Sequence, residues 1–337
     1  MRTKREEKPK KKKYFGRFKK PLVSLPNLVK PQLDSFRWII EVGLKEVFKE
    51  ISPINDYSEK KFELEFVNFE IGEPKFNEHY AKENMLSYDA PLRATVKLKN
   101  KTTGSEKEQE IFLTDFPIMT DHGTFIINGI ERVVVSQLAR SFGVFFTSQE
   151  LKGKNHFGAK ITPSRGAWIE IESEPDDVIY VKIDRKRKFP ITSLLRILGA
   201  NFDRDMVSLF AGNKFAKDII NNSIAADPAK TVEEAYIEIH KKLRDGDPAT
   251  PQHAKEFIDS IFSSDRYDLS KVGRYRFNQR FGRALNDAEM KKRTVSLDDI
   301  AAIVSHIITL NNTPRAVADD IDHLGFRRVR YVGEILQ

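Results

Sequence analysis

Residues 114–146 carry two turn signals, Asp121-His122-Gly123 and Asn128-Gly129, set among β-branched runs. An Asn-Gly pair in such a setting forces a tight reversal, because both residues tolerate positive φ. The flanking runs 124–127 and 130–135 favour strands, so the stretch predicts tight β-hairpins. Its polar content is less ordinary. Glu131, Arg132, Gln137 and Arg140 lie on or just beyond these strands. A solvated sheet face and a polar surface with a task both fit that pattern.

Composition sets the outer limits. A chain of 337 residues with 40% hydrophobic content has room for two domains of ordinary size. No apolar run approaches the ~18 residues of a membrane span, and the charged N-terminus has no apolar segment behind it, so no secretory signal is expected. Cysteine is absent, which excludes disulfides and thiolate metal sites and fits a reducing compartment. The net charge of +8 is unevenly spread. Eleven of the 57 basic and two of the 49 acidic residues fall within the first 20, leaving 46 basic against 47 acidic in the other 317. Residues 1–20 thus form a basic disordered tail, able either to bind phosphate by counterion release or simply to keep the chain soluble.

Beyond the tail, Leu33, Phe36, Ile40, Leu44, Val47 and Ile51 recur at helical spacing, predicting one amphipathic helix over 32–50 that Ser52-Pro53 ends. Alternating runs follow at 62–66 and 92–98, then an apolar triplet at 111–113. They predict an antiparallel sheet under the helix, with at most a short helix between 73 and 91. A second sheet region is predicted from Trp168, with a hairpin loop at 173–177. From Thr192 the pattern is helical. A capping box opens the helix after Thr231, with Glu234 at its third position, and Thr250-Pro251 starts another. Ser296 with Asp299 caps a last helix over 297–310. The fold class is therefore α+β: a helix packed on an antiparallel sheet, then a mixed domain of β-hairpins followed by a helical cluster.

Three long stretches resemble one family: Pro117–Phe125 with Asn128–Leu138 and Arg140–Phe146; Tyr267-Asp268-Leu269-Ser270-Lys271-Val272-Gly273-Arg274-Tyr275-Arg276-Phe277-Asn278; and Asp319-Asp320-Ile321-Asp322-His323-Leu324-Gly325-Phe326-Arg327-Arg328-Val329-Arg330-Tyr331-Val332-Gly333-Glu334. Together with Arg185-Lys186-Arg187-Lys188 and Lys242-Leu243-Arg244-Asp245-Gly246-Asp247-Pro248, they are similar to the N-terminal part of the β subunit of bacterial DNA-directed RNA polymerase. The resemblance implies a protrusion domain begun at 21–138, a lobe domain over 139–315 and a return segment, 316–337, into the protrusion. The family continues well past this point, so an N-terminal piece is expected.

The same resemblance implies a role in transcription as one wall of the DNA cleft, contacting downstream and non-template DNA, within a nucleotidyltransferase. It implies partners: DNA, the β′, α, ω and σ subunits, and lobe-binding regulators, with no membrane. The setting would be the cytoplasm, at the nucleoid. The rival is a free-standing DNA-binding or factor-docking module with the lobe fold.

No catalytic residue is predicted here. The seven histidines show no metal-ligand spacing and no phosphate-binding glycine loop occurs. Asp319, Asp320 and Asp322 would suit magnesium only if a scaffold made them converge. In the family the catalytic Mg²⁺ is held by β′, so no cofactor is expected in this chain. Family positions matching Arg140, Ile321, Asp322 and Arg327 receive a flipped guanine of the non-template strand. A carboxylate accepts from guanine N1–H and N2–H₂, and arginine forks suit base edges or phosphate. An Arg140–Asp322 ion pair tying two chain passages together stays open as the alternative. Arg185 and Arg187, like Arg274 and Arg276, are candidates for phosphate contacts or for solvated surface. Arg132, Val135 and Gln137 match part of the rifamycin site. Two residues depart from the family pattern: Phe142 where Pro is usual, and Phe326 where Asn is usual.

Overall fold

A computed structural model describes residues 26–58, 60–244 and 249–337. The basic tail and residues 245–248 of the quoted motif lie outside them. The chain divides into two compact units. One comprises the residues up to Gln137 together with Val329–Gln337, and the other is Leu138–Arg328. Residues 316–328, read above as the start of the return segment, thus pack with the second unit.

In the first unit, Pro31 sits in the first turn of α1 (Lys30–Trp38), where its missing N–H costs nothing. The expected single helix is interrupted. A π turn at Ile39–Gly43 precedes α2 (Leu44–Ile51), and the Leu44 N–H bonds the Ile39 carbonyl five residues back. The wider turn adds a residue, so Phe36, Ile39 and Leu44 all reach the core. They pack with Phe48, Phe69, Ile71 and Phe116 over an antiparallel sheet of order β1-β2-β3-β4. These strands are β1 (Ile54–Asn55), β2 (Phe62–Ile71), β3 (Asp89–Asn100) and β4 (Glu106–Pro117), with the short α3 (Glu78–Glu83) between β2 and β3. The C-terminal helix Val332–Leu336 docks on α1, where the Gly333 N–H donates to Ser35 Oγ at 3.0 Å and Val332 is fully buried.

The Asn128-Gly129 turn closes a hairpin of β5 (Phe125–Ile127) and β6 (Ile130–Arg132), both turn residues having positive φ. The other signal closes a loop without strands, held by Thr120 N–H to Thr124 O at 2.8 Å. After Arg132 the ladder stops, leaving Val133 and Val135 exposed despite their β-branching. Gly129 lies against the backbone of Met85, and a Cβ there would sit 2.7 Å from Met85 Cα. Gly129→Ala is therefore expected to cost about 1–3 kcal/mol, read as a lowered midpoint in thermal unfolding.

The second unit is entered through β7 (Gln137–Arg140). Its sheet is antiparallel, order β12-β11-β10-β9-β8, from β8 (Gly143–Leu151), β9 (Lys154–Thr162), β10 (Ile169–Ser173), β11 (Ile179–Ile183) and β12 (Phe189–Pro190). The helical part follows as α4 (Ile191–Ile197), α5 (Asp203–Leu209), α6 (Ala216–Ala226), α7 (Val232–Leu243), α8 (Pro251–Phe262), α9 (Ser270–Arg280), α10 (Asp287–Met290) and α11 (Leu297–Asn311). The predicted capping box at Thr231 is present, and the predicted cap at Ser296 is likewise a capping box. One core joins sheet and helices, including Phe146, Ile169, Ile171, Val181, Leu194, Ile239 and Ile303.

Candidate nucleic-acid interface

Within the second unit, two passages of chain far apart in sequence lie side by side. The first runs from Arg140, at the end of β7, into β8. The second is the turn from Asp319 to Arg327 that follows α11. Asp319 fastens them: its carboxylate accepts the Phe146 N–H at 2.7 Å, and its own N–H donates to the Phe146 carbonyl at 2.9 Å. Farther along, the Ser141 N–H donates to the Phe326 carbonyl at 2.9 Å. Arg140 and Ile321 consequently line one hollow of about 440 Å³, with Lys160, Glu172 and Asp319.

Asp322 does not pair with Arg140 as the alternative required. Its carboxylate is ion-paired with Arg327, five residues on. The Asp322 side chain is 86% exposed, and a carboxylate has acceptor capacity beyond one arginine, so it still offers acceptors to a ligand. Asp320 turns inward on its own loop, taking the Asp322 N–H at 3.0 Å. The three aspartates therefore point to three different tasks and do not converge. Among the described residues no group of three His, Cys, Asp or Glu side chains could hold a metal ion.

Backing this turn is α9, the helix of Arg274 and Arg276. Arg280 grips both oxygens of Asp319 at 2.9 Å and lies over the Phe146 ring at 4.6 Å. Arg276 donates to the Gly325 carbonyl at 2.7 Å and faces the Phe326 ring at 5.8 Å. Neither role is legible in the local sequence, since both partners lie some forty positions or more away. Nearby, burial first and then the Arg280 charge hold the His306 pKa below its usual range, so it is neutral at pH 7 against Phe146.

Arg274 is no phosphate contact. It is 1% exposed and bonded to Asp299 and to the carbonyls of Lys292 and Thr294. At the other basic run, Lys182 pairs with Glu172 and Lys188 with Glu174. Arg185 and Arg187 are exposed in the turn after β11, with the Arg185 guanidinium 5.6 Å from the Trp168 ring centre. Arg132, Val135 and Gln137 are all exposed.

Comparison with known proteins bears on the same region. The model of the family described as RNA polymerase Rpb2, domain 2, matches residues 140–330, the whole span from Arg140 through Arg327. The chain belongs to this RNA polymerase Rpb2 family. It is also 43% identical, over 354 aligned positions, to the DNA-directed RNA polymerase subunit beta of Chloroflexus aggregans. That alignment covers 96% of this chain and 29% of the relative. The resemblance drawn from the three motifs is thereby borne out.

Phe142 and Phe326 both meet the same helix. Phe142 packs where a Cβ on Gly273 of α9 would be 3.1 Å from its own Cβ, and the Arg328 guanidinium lies 4.2 Å from its ring centre. Phe326 stands edge-on to Phe145 at 5.8 Å and to His323 at 5.9 Å.

Proposed function

We propose that this chain serves as part of the β subunit of a bacterial DNA-directed RNA polymerase, forming one wall of the DNA cleft and contacting downstream and non-template DNA. Family membership supports the polymerase assignment. The observation that carries the DNA contact is the shared hollow of Arg140 and Ile321, 181 positions apart, with the exposed Asp322 next in the chain after Ile321.

In this proposal a guanine turned out of the non-template strand donates N1–H and N2–H₂ to Asp322, while Arg327 and Arg140 supply donors for its acceptor edge or its phosphate. Arg185 and Arg187 contact backbone phosphate. Ribonucleotide transfer belongs to the assembled enzyme, with its magnesium held by the β′ subunit. The partners are DNA, the β′, α, ω and σ subunits and regulators that dock on the lobe, and the setting is the cytoplasm at the nucleoid. No described helix is long and apolar enough to cross a membrane. Arg132, Val135 and Gln137 supply part of a rifamycin site.

Co-expression with β′ and α tests the assignment. Co-purification of the three supports it, and a stable monomer that binds DNA alone overturns it in favour of the free-standing module. Asp322→Ala is expected to lower the preference for guanine over adenine about tenfold, the worth of one good bidentate contact; an unchanged preference rejects the pocket. Arg185→Ala should weaken binding to all sequences alike and flatten the salt slope by about one unit, measured by titration at several salt concentrations.

A further inference from the structure

We infer that Arg276 and Arg280 of α9 are positioning residues for the nucleic-acid turn, an inference that rests on the Asp322–Arg327 site proposed above. They are four residues apart, hence on one face of the helix. Each holds a different end of the turn. Arg280 takes both oxygens of Asp319 at its start. Arg276 takes the Gly325 carbonyl near its end. Asp322 and its partner Arg327 are the side chains suspended between and just beyond these points.

Apart from the pairing of the strand Arg327–Arg330 with β7, the turn has little else to fix it. Asp322 is exposed and the helical turn Leu324–Phe326 buries no residue. Its internal bonds are short-range: Asp320 to the Asp322 N–H, and His323 Nδ1 accepting the Gly325 N–H at 3.0 Å. Such local bonds shape a loop but do not anchor it to the scaffold. The long-range anchors are Asp319 on Arg280 and Phe146, the Phe326 carbonyl on the Ser141 N–H, and Gly325 on Arg276. Arg276 adds a second hold through the Phe326 ring, which is itself wedged against Phe145. A planar guanidinium can donate to the carbonyl and cap the ring at once, whereas lysine, a point charge on a flexible stem, keeps only the first. Recognition of a base edge depends on donors and acceptors being held in register. Loss of the clamp should therefore cost selectivity before it costs overall affinity.

The test uses the complex that this chain forms with co-expressed β′ and α, and a fluorescein-labelled bubble DNA carrying a single guanine or adenine in the displaced non-template strand, read by anisotropy at low salt. Amide exchange over residues 319–328 and the thermal midpoint are followed in parallel. Wild type is expected to favour guanine about tenfold and Asp322→Ala to show no preference. Arg276→Ala should cut the preference to about twofold, with adenine affinity and thermal midpoint unchanged and exchange over 319–328 about tenfold faster. Arg276→Lys should recover part of the preference. Full guanine preference in Arg276→Ala, whether or not exchange speeds up, overturns the inference while leaving the site proposal standing. A wild-type complex without preference overturns the site proposal and this inference with it. If Arg280→Ala fails to fold, because it uncovers Asp319, Arg276→Ala still decides the question.

Discussion

An Arg274→Met chain is expected to lose about 3–5 kcal/mol of unfolding free energy in the second unit, the cost of breaking a buried charge pair from one side. Arg274 and Asp299 are 1% and 2% exposed at their side chains and make two bonds to each other, at 3.0 and 3.1 Å. Removing the guanidinium leaves the Lys292 and Thr294 carbonyls short of a donor, and Asp299 with Arg283 and the Ser296 N–H alone. Replacing both partners, as in Arg274→Met with Asp299→Leu, should recover part of the loss, because no buried charge is then stranded. Chemical denaturation of the single and double variants checks this.

The pair also predicts a pH dependence. Burial opposes ionisation of Asp299, yet the Arg274 bonds and charge, the Ser296 N–H and Arg283 outweigh it and hold the carboxyl below the usual aspartate range. A carboxyl whose pKa is lower folded than unfolded contributes fully above the unfolded value, about 4, and loses that contribution as pH falls toward the folded value. The stability gap between wild type and Arg274→Met should therefore be widest near pH 6 and narrow at pH 3.

Gly333→Ala should be nearly as damaging to the first unit, by about 2–4 kcal/mol. A Cβ at Gly333 would stand 2.2 Å from the Ser35 carbonyl and 2.8 Å from Ser35 Oγ, the acceptor of its own N–H. Backbone cannot swing aside as a flexible side chain does, so the terminal helix must lift from α1 and draw Val332 out of the core with Phe36 and Phe125. Leu336→Ala, at a half-exposed position of the same helix, serves as the mild control. Thermal unfolding of the two variants should separate them clearly.

What could be read from the residues was what is local. The helix caps at Thr231 and Ser296, the Asn128-Gly129 reversal and the stop at Ser52 are each decided within a few positions, and each is where it was expected. The β8–β9 hairpin was not foreseen. Its turn is Lys152-Gly153, with the lysine at positive φ, and Val144, Phe145 and Phe146 are buried in succession, so alternation fails where both sheet faces are covered. Likewise, a charge run looks the same whether solvated or buried: Arg274 is locked in the core two residues from Arg276, whose contact is a carbonyl. At the site, the motifs gave Arg140 and Ile321, whereas the fastening by Asp319, Arg276 and Arg280 depends on contacts that only the folded chain creates.

The interleaving of the two units has a consequence for the order in which they can be made. The second unit is one uninterrupted run, Leu138–Arg328, while the first waits for Val332 and Gly333 to complete its core. During synthesis, residues 26–137 therefore leave the ribosome with α1 still lacking its covering helix. Closing so long a loop on an unfolded chain would carry a large entropic cost. The second unit removes most of it when it folds, because the Ser141–Phe326 bond already brings its two ends together. Variants that slow folding of the second unit should accordingly leave the first exposed to proteases during translation, even where the finished protein is stable.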